Sequence, residues 1–166
     1  MANHPEALRV FWPRIGTWLH GKGGLAARLR ELAIIQSSYV TASGYEFAHH
    51  VTFAMTKGLT HDGILAIIDE SSGKASGLSA FERSVLKAAR DLTLHAQIDD
   101  ETRAVLEGGL SRKDLIELVV VTSYYNHIIR LVSALRITLD DGHAKETGLK
   151  AVLERYPPPP GIGVWR

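Results

Sequence analysis

Apolar residues recur at three- and four-residue spacing in four segments of the chain, residues 25–40, 63–70, 81–94 and 114–137. This period is that of a helix that buries one face. None of the four segments alternates apolar and polar residues over the length of a strand. The pattern therefore predicts an all-α protein.

Capping signals agree with these helices. Ser79 with Glu82, and Ser111 with Asp114, have the spacing of a capping box directly before two of the apolar segments. Glycines separate the periodic segments, and each is predicted to end a helix in the left-handed conformation. These glycines are Gly44, Gly58, Gly73, Gly77, Gly108, Gly109 and Gly142.

The connections predicted in this way are short, so the chain of 166 residues is predicted to form a single helical domain, 1–166. The segment GKASGLS (73–79) is the best candidate for a loop between two helical halves, and it is too short to separate domains. The proline-rich tail 156–166 is predicted to be non-helical, because consecutive prolines lack amide donors.

Composition restricts the chemistry. The chain has no cysteine, which excludes disulfides, thiolate catalysis and thiolate metal sites. Nineteen basic and 18 acidic residues leave a net charge of +1, which gives no electrostatic footprint for nucleic acid. No segment approaches the roughly 18 apolar residues of a membrane helix, and residues 1–10 lack the long apolar segment of a secretory leader. A soluble, cytoplasmic protein without a membrane or nucleic-acid partner is expected.

The segment SGYEFAHH (43–50) concentrates candidate catalytic groups. If it is helical, Glu46 and His50 face the same way and Ser43 lies close to the same line, where it is a candidate substrate contact. An adjacent apolar stripe begins at Phe47, so the pair would be partly desolvated and able to share a proton near neutral pH. The alternative is an ordinary pair of solvated neighbours on an amphipathic helix.

Other polar groups have weaker signals. A metal site is suggested by His49 beside His50, with Glu46 or His127 as a further ligand. Adjacent residues of a helix point about 100° apart, so His49 and His50 cannot easily bind one ion, and no metal is predicted.

Arg130 is a candidate for binding a substrate carboxylate. The alternative is that Arg130 pairs with a local acid, while Tyr124 and Tyr125 pack in the bundle with their hydroxyls exposed to water. Several remaining groups are expected at the surface, namely Arg28, Arg30, His20, His61, His95 and His143.

The segment 30–67 resembles the core of the carboxymuconolactone decarboxylase and alkylhydroperoxidase D-like family. The shared motifs are Arg-Glu-Leu at 30–32, Tyr-Glu-Phe-x-x-His at 45–50 and a Gly-Leu-Thr turn at 58–60. The helices downstream are also similar, so the resemblance covers about residues 22–140. It implies an all-α bundle of about six to eight helices, with the site on the helical hairpin 25–57.

The peroxidase branch of that family has Cys-x-x-Cys-x-x-x-His, with a glutamate twelve positions before the first cysteine. Here the cysteine positions are Ser43 and Glu46, the histidine is His50 and the glutamate is Glu31. A thiol peroxidase is excluded, because an alcohol and a carboxylate cannot cycle through sulfenate and disulfide.

The decarboxylase branch is similar at the Tyr-Glu-x-x-x-His segment, and its reaction needs a proton donor and no redox group. The resemblance implies that His50 is this donor, oriented by Glu46, with Glu31 as a second acid/base or relay and Tyr45 as a donor to an oxyanion. Lactone isomerisation, double-bond migration, dehydration and retro-aldol cleavage would use the same groups.

The function predicted is therefore a cofactor-independent lyase or isomerase acting on a small carboxylated or lactone-type metabolite. A non-catalytic helical oligomer or ligand-binding protein that lost the redox thiols is the alternative, and a metal-dependent oxidative enzyme is a third. The resemblance also implies a symmetric homo-oligomer, with a trimer or hexamer favoured over a dimer.

Overall fold

Seven helices follow one another, with no strand, in the part of the chain that a computed structural model describes, residues 3–137 without the side chains of 11–14. The helices are α1 (Pro5–Gly21), α2 (Ala27–Val40), α3 (Gly44–Thr56), α4 (His61–Ser71), α5 (Ala80–His95), α6 (Asp100–Gly109) and α7 (Arg112–Ala134). The all-α prediction is confirmed. The proline-rich tail 156–166, Gly142 and His143 lie outside the described residues.

Helix α2 lies at the centre of the bundle and contacts α3, α4, α5 and α7. Every residue from Arg30 to Val40 is buried, the polar ones included. A helix that is enclosed on all sides has no solvated face on which to place charge. Its polar groups must therefore find partners inside the protein.

The capping signals read from the sequence are present. Ser79 and Glu82 form a complete capping box at the start of α5, and the Ser111 side chain accepts from the Asp114 amide at the start of α7. Gly58 takes a left-handed φ of +89° after α3, as predicted. Gly73 is also left-handed, with a φ of +72°. The prediction was wrong at the other described glycines: Gly44 begins α3, Gly108 and Gly109 lie within α6, and Gly77 does not take a positive φ.

Helix α1 was not predicted from the sequence. His4 caps its amino end by accepting from the Ala7 amide at 3.2 Å, and Pro5 occupies the first helical position, where a missing amide hydrogen costs nothing. Leu19, near its other end, is fully buried. The helix thus docks on the bundle through its carboxyl-terminal end.

The connection from α1 to α2 is fastened to α7 by a buried carboxylate. The Gly24 amide donates to Glu117 Oε2 at 2.7 Å, and Glu117 is buried. Gly23 lies directly over the other oxygen of the same carboxylate, since a Cβ built on Gly23 would lie 1.9 Å from Glu117 Oε1. The absence of a side chain at Gly23 therefore permits the close approach that seats α1.

The prediction that no segment approaches a membrane helix was wrong for α7, which is long and apolar enough to cross a membrane by length and composition alone. More than half of its most apolar stretch, 56%, is buried within the bundle. The core helix of a soluble protein has this character.

We expect Gly23→Ala to lower the free energy of unfolding by about 1–3 kcal/mol, because the new methyl group overpacks against Glu117. Chemical denaturation followed by circular dichroism measures the change. Gly21→Ala is the matched control, since a Cβ there meets nothing within 4 Å. Equal stability of the two variants would contradict this account of the α1 connection.

Candidate active site

The hairpin of α2 and α3 carries the site. The chain reverses at Thr41–Ser43, where Ala42 takes a left-handed φ of +53° and the Ser43 amide donates to the Ser38 carbonyl at 2.9 Å. This turn brings α3 back along α2. The hairpin therefore places Glu31, near the beginning of α2, beside His50 in the middle of α3.

Glu31 of α2 and His50 of α3 meet at the centre of this hairpin. His50 Nδ1 lies 2.8 Å from Glu31 Oε2, and Glu31 has an exposure of 0%. An ionised carboxylate only accepts hydrogen bonds, so the hydrogen of the neutral imidazole lies on Nδ1. This contact leaves Nε2 as the basic nitrogen of His50.

Arg30 compensates the charge of Glu31 from the other side. Its Nε lies 3.4 Å from Glu31 Oε1, and its Nη1 donates to the Leu19 carbonyl at 2.9 Å. The expectation of a solvated Arg30 was wrong, because its exposure is 5% and both of its contacts are buried. The expectation for Arg28 is confirmed, since it is exposed and pairs with Glu82.

Glu46 lies on the opposite side of the imidazole. Its Oε2 is 3.7 Å from His50 Nε2, one helical turn along α3, so the predicted i, i+4 pair is present. Burial raises the pKa of Glu46, and the attraction of a charged His50 opposes this only in part. The two carboxyl groups that flank His50 therefore have different environments. Glu31 has Arg30 beside it, whereas burial disfavours the ionised form of Glu46.

A cavity of about 480 Å³ opens at Glu46 and His50. Aromatic and small side chains from α1, α3 and α7 form most of its wall. The lining residues are Gly16, Thr17, His20, Tyr45, Glu46, His49, His50, Phe53, Tyr124, Tyr125 and Ile128.

Two of these residues, His20 and Tyr125, form a hydrogen-bonded pair that sequence reasoning missed. His20 Nε2 and the Tyr125 hydroxyl are 2.6 Å apart. The His20 ring stacks on the His50 ring at 6.1 Å between centroids, and the Tyr125 ring meets His50 edge-on at 4.7 Å. The expectation of a surface His20 was therefore wrong, and so was that of a wet Tyr125 hydroxyl.

Burial sets the protonation of this pair. Desolvation lowers the pKa of His20; the charge of Glu31 opposes this, and the positive charges of His50, Arg30 and Lys57 add to it. Burial also raises the pKa of Tyr125, with the Glu46 and Glu31 charges acting in the same direction. At neutral pH the pair is therefore a neutral imidazole and an un-ionised phenol.

The remaining predicted residues have different positions. Tyr45 lines the cavity, and its ring lies 4.6 Å from that of His49. Ser43 is buried at the start of α3 and does not line the cavity. Arg130 is exposed, donates to the carbonyl and side-chain oxygens of Asn126 at 2.7 and 3.0 Å, and does not line the cavity.

The metal alternative draws no support from the geometry. Within residues 3–137, no group of three or more His, Asp or Glu side chains is arranged to hold a metal ion. His127 is exposed on α7, while His49 lines the cavity from α3.

The model of the carboxymuconolactone decarboxylase family matches residues 5–91, slightly more than half of the chain. A crystal structure from Agrobacterium tumefaciens has a similar fold, with a TM-score of 0.73 at 18% identity over 82% of this chain and 92% of the other. That protein has no known function and is provisionally called the antioxidant defence protein AhpD. No curated protein matches the chain.

The raised pKa of Glu46 predicts a pH-dependent cost to stability. Between its unfolded and folded pKa values the native state binds more protons than the unfolded state, so the contribution of Glu46 to stability falls as pH rises. The unfolding free energy of Glu46→Gln relative to wild type should therefore increase as pH rises above about 4, the ordinary pKa of glutamate. Denaturant titrations at several pH values measure the difference.

Glu82→Gln is the matched control of opposite sign. Burial alone would raise the pKa of Glu82, but hydrogen bonds from Ser79 and Arg28 outweigh it and hold that pKa below its ordinary value. Ionised Glu82 is thus stabilising, and the loss in Glu82→Gln should grow as pH rises. A flat difference for Glu46→Gln, with the expected trend in the control, would contradict the desolvated carboxyl.

Proposed function

Because the chain belongs to the carboxymuconolactone decarboxylase family, we propose that it is a cofactor-independent lyase or isomerase that transfers protons on a small carboxylated or lactone-type metabolite. The observation that carries the proposal is His50 between two buried carboxylates at the wall of a cavity. The absence of cysteine excludes the thiol chemistry of the peroxidase branch.

His50 is the central acid/base group of this proposal. Glu31 holds the hydrogen on Nδ1 and so directs Nε2 toward Glu46 and the cavity. The carboxylate stabilises the imidazolium that forms when Nε2 takes up a proton. In this proposal Glu31, and not Glu46 as expected, orients the imidazole of His50.

Glu46 is the second proton carrier. Its raised pKa keeps it protonated to higher pH than an ordinary glutamate. A site with two titratable groups in different environments can use one as base and the other as acid. His50 Nε2 removes a proton while Glu46 delivers one, or the reverse.

The groups suffice for either reaction of the proposed class. In decarboxylation the bond to the carboxylate carbon breaks, carbon dioxide leaves and the electron pair delocalises onto a conjugated oxygen before His50 or Glu46 protonates the carbon. In isomerisation the proton is removed at one carbon and returned at another. Tyr45, which lines the same cavity, remains a proposed hydrogen-bond donor to the oxyanion.

The cavity supports a small ligand. Its volume of about 480 Å³ lies in the lower half of the range typical of ligand sites, roughly 300–1,000 Å³. Phe53, Ile128 and the tyrosines supply an apolar wall for the carbon skeleton. A cavity at Glu46 and His50 supports binding of a ligand beside these groups, which counts against a purely structural oligomer and is shared by the enzyme and the ligand-binding alternative.

The assembly and location expected from the sequence belong to the proposal. We propose a cytoplasmic homo-oligomer, with a trimer or hexamer favoured and a dimer as the alternative. Three apolar side chains exposed on α1, Val10, Ile15 and Trp18, support a subunit contact on this helix, since Val10 alone is 74% exposed.

Substitution of His50 tests the proposed chemistry. The purified protein is screened against carboxylated lactones and related acids, with substrate loss and carbon dioxide release as readouts. His50→Asn should lower turnover by about 10²–10⁴-fold, because the asparagine amide can replace the Nδ1–H donor to Glu31 but supplies no Nε2. Glu46→Gln should also be strongly impaired.

His95→Ala is the control, since His95 is exposed at the end of α5. It should retain wild-type turnover. Wild-type activity in a folded His50→Asn protein would overturn the assignment of His50. Turnover in no sample, with binding of the same acids, would favour the non-catalytic ligand-binding protein.

A further inference from the structure

The cavity wall has several neutral hydrogen-bond donors and no permanent cation. Among its lining residues the ionisable groups are histidines, tyrosines and Glu46, with no arginine or lysine. Arg130, the residue expected to receive a substrate carboxylate, is bound to Asn126 and does not line the cavity. No permanently charged side chain of the cavity wall is therefore available to receive an oxygen of the ligand.

We propose that Tyr125, with its hydroxyl oriented by His20, forms a binding subsite for a carbonyl-type oxygen of the ligand, next to His50. Tyr125 would contact the ligand, and His20 is its positioning residue. The inference rests on the proposed function only for the reaction that follows binding, because the subsite itself is defined by the His20–Tyr125 geometry.

The tautomer of His20 determines where the Tyr125 hydrogen points. His20 Nδ1 is buried and has no hydrogen-bond partner, whereas Nε2 contacts the Tyr125 oxygen at 2.6 Å. A buried N–H without an acceptor is rarer and more costly than a buried acceptor without a donor. The hydrogen of neutral His20 therefore belongs on Nε2, where it donates to Tyr125.

An oxygen that accepts from His20 keeps its own hydrogen for another acceptor. Tyr125 lines the cavity, and its raised pKa keeps that hydrogen in place at neutral pH. The hydroxyl is thus a donor with its position fixed by His20, and its acceptor is supplied by a ligand. The paired donor needs no reorganisation when the ligand binds.

The position of Tyr125 beside His50 indicates which class of ligand the subsite would bind. The Tyr125 ring meets the His50 ring edge-on at 4.7 Å between centroids, and His20 stacks on the same imidazole. A ligand whose oxygen reaches Tyr125 presents the carbon next to its carbonyl to His50. The class of ligand is therefore an enolisable carbonyl compound: a ketone, a lactone or a conjugated acid.

In this arrangement each proton and electron pair has a defined acceptor. His50 Nε2 takes the proton from the carbon beside the carbonyl, and the electron pair of the broken C–H bond moves onto the carbonyl oxygen. Tyr125 donates a hydrogen bond to that oxygen and keeps its proton. Return of a proton from His50 or Glu46 to carbon restores the carbonyl group.

A neutral ketone tests the subsite without any turnover. The probe is para-dimethylaminoacetophenone, whose absorption band moves to longer wavelength when its carbonyl accepts a hydrogen bond. Bound to wild-type protein, it should absorb at longer wavelength than when bound to Tyr125→Phe. Its affinity for Tyr125→Phe should be roughly three- to tenfold weaker, as for the loss of one neutral hydrogen bond.

Tyr39→Phe is the control, because it removes the hydroxyl of a buried tyrosine that does not line the cavity. It should keep the wild-type band and affinity. His20→Ala should weaken binding, and His20→Gln should restore it, since the glutamine amide can replace the Nε2–H donor. This rescue separates positioning of Tyr125 from a general structural role of His20.

The nitrogen-15 spectrum of the labelled His20 ring provides a second readout. The expected form is the neutral tautomer with hydrogen on Nε2. The proposal would be overturned by the opposite tautomer, by a wild-type protein that does not bind the ketone, or by Tyr125→Phe indistinguishable from wild type in band and affinity.

The outcomes distinguish this proposal from the proposed function. A Tyr125-dependent band in a protein without turnover on any acid would support the subsite and count against the lyase or isomerase. Turnover that depends on His50 but not on Tyr125, with an unshifted ketone band, would do the opposite.

Discussion

The hydrogen bond between Glu31 and His50 is the contact on which the site depends. Removing a carboxylate from water costs several kcal/mol unless charge and hydrogen bonds compensate it. Glu31 is fully buried in the central helix, and its compensation comes from Arg30 on one side and His50 on the other. Helix α3 must therefore pack with His50 against α2. Arg30 also donates to the Leu19 carbonyl, so this guanidinium group links the end of α1 to the hairpin.

The orientation of one imidazole follows from this constraint and organises the rest of the cavity. With Nδ1 bonded to Glu31, Nε2 faces Glu46. Burial raises the pKa of Glu46 and so disfavours its ionised form. Helix α1 brings His20 onto one face of the ring, and α7 brings Tyr125 to its edge. Three helices that are distant in sequence thus enclose one titratable ring with neutral donors and a single protonatable carboxyl. Such a site fits the proton transfer that we propose.

Local sequence patterns accounted for the helices of the core and for the Glu46–His50 pair, since apolar spacing and the i, i+4 relation are properties of single helices. Glu31 was placed in the site only by family resemblance, as a relay, and its hydrogen bond to His50 was not predicted, because no local pattern relates residues 19 positions apart on two helices. His20 and Tyr125 were missed for the same reason, because 105 positions separate them in the sequence.

Helix α1 could have been predicted from the sequence. Leu8, Phe11, Ile15 and Leu19 have helical spacing after a proline at the first helical position. Arg30 was misplaced because its charge suggested solvent, whereas its carboxylate partner lies in the core.

The central claim is that Glu31 fixes the hydrogen of His50 on Nδ1 and leaves Nε2 free to carry protons at the cavity. Nitrogen-15 spectroscopy of the labelled His50 ring, recorded at a pH at which the ring is neutral, tests it most directly. The account predicts hydrogen on Nδ1 in wild type. It also predicts a reversal in Glu31→Gln, where the amide oxygen would accept from Arg30 and the amide nitrogen would donate to Nδ1. A wild-type ring with its hydrogen on Nε2 would contradict the account, because the nitrogen facing Glu46 could then accept no proton.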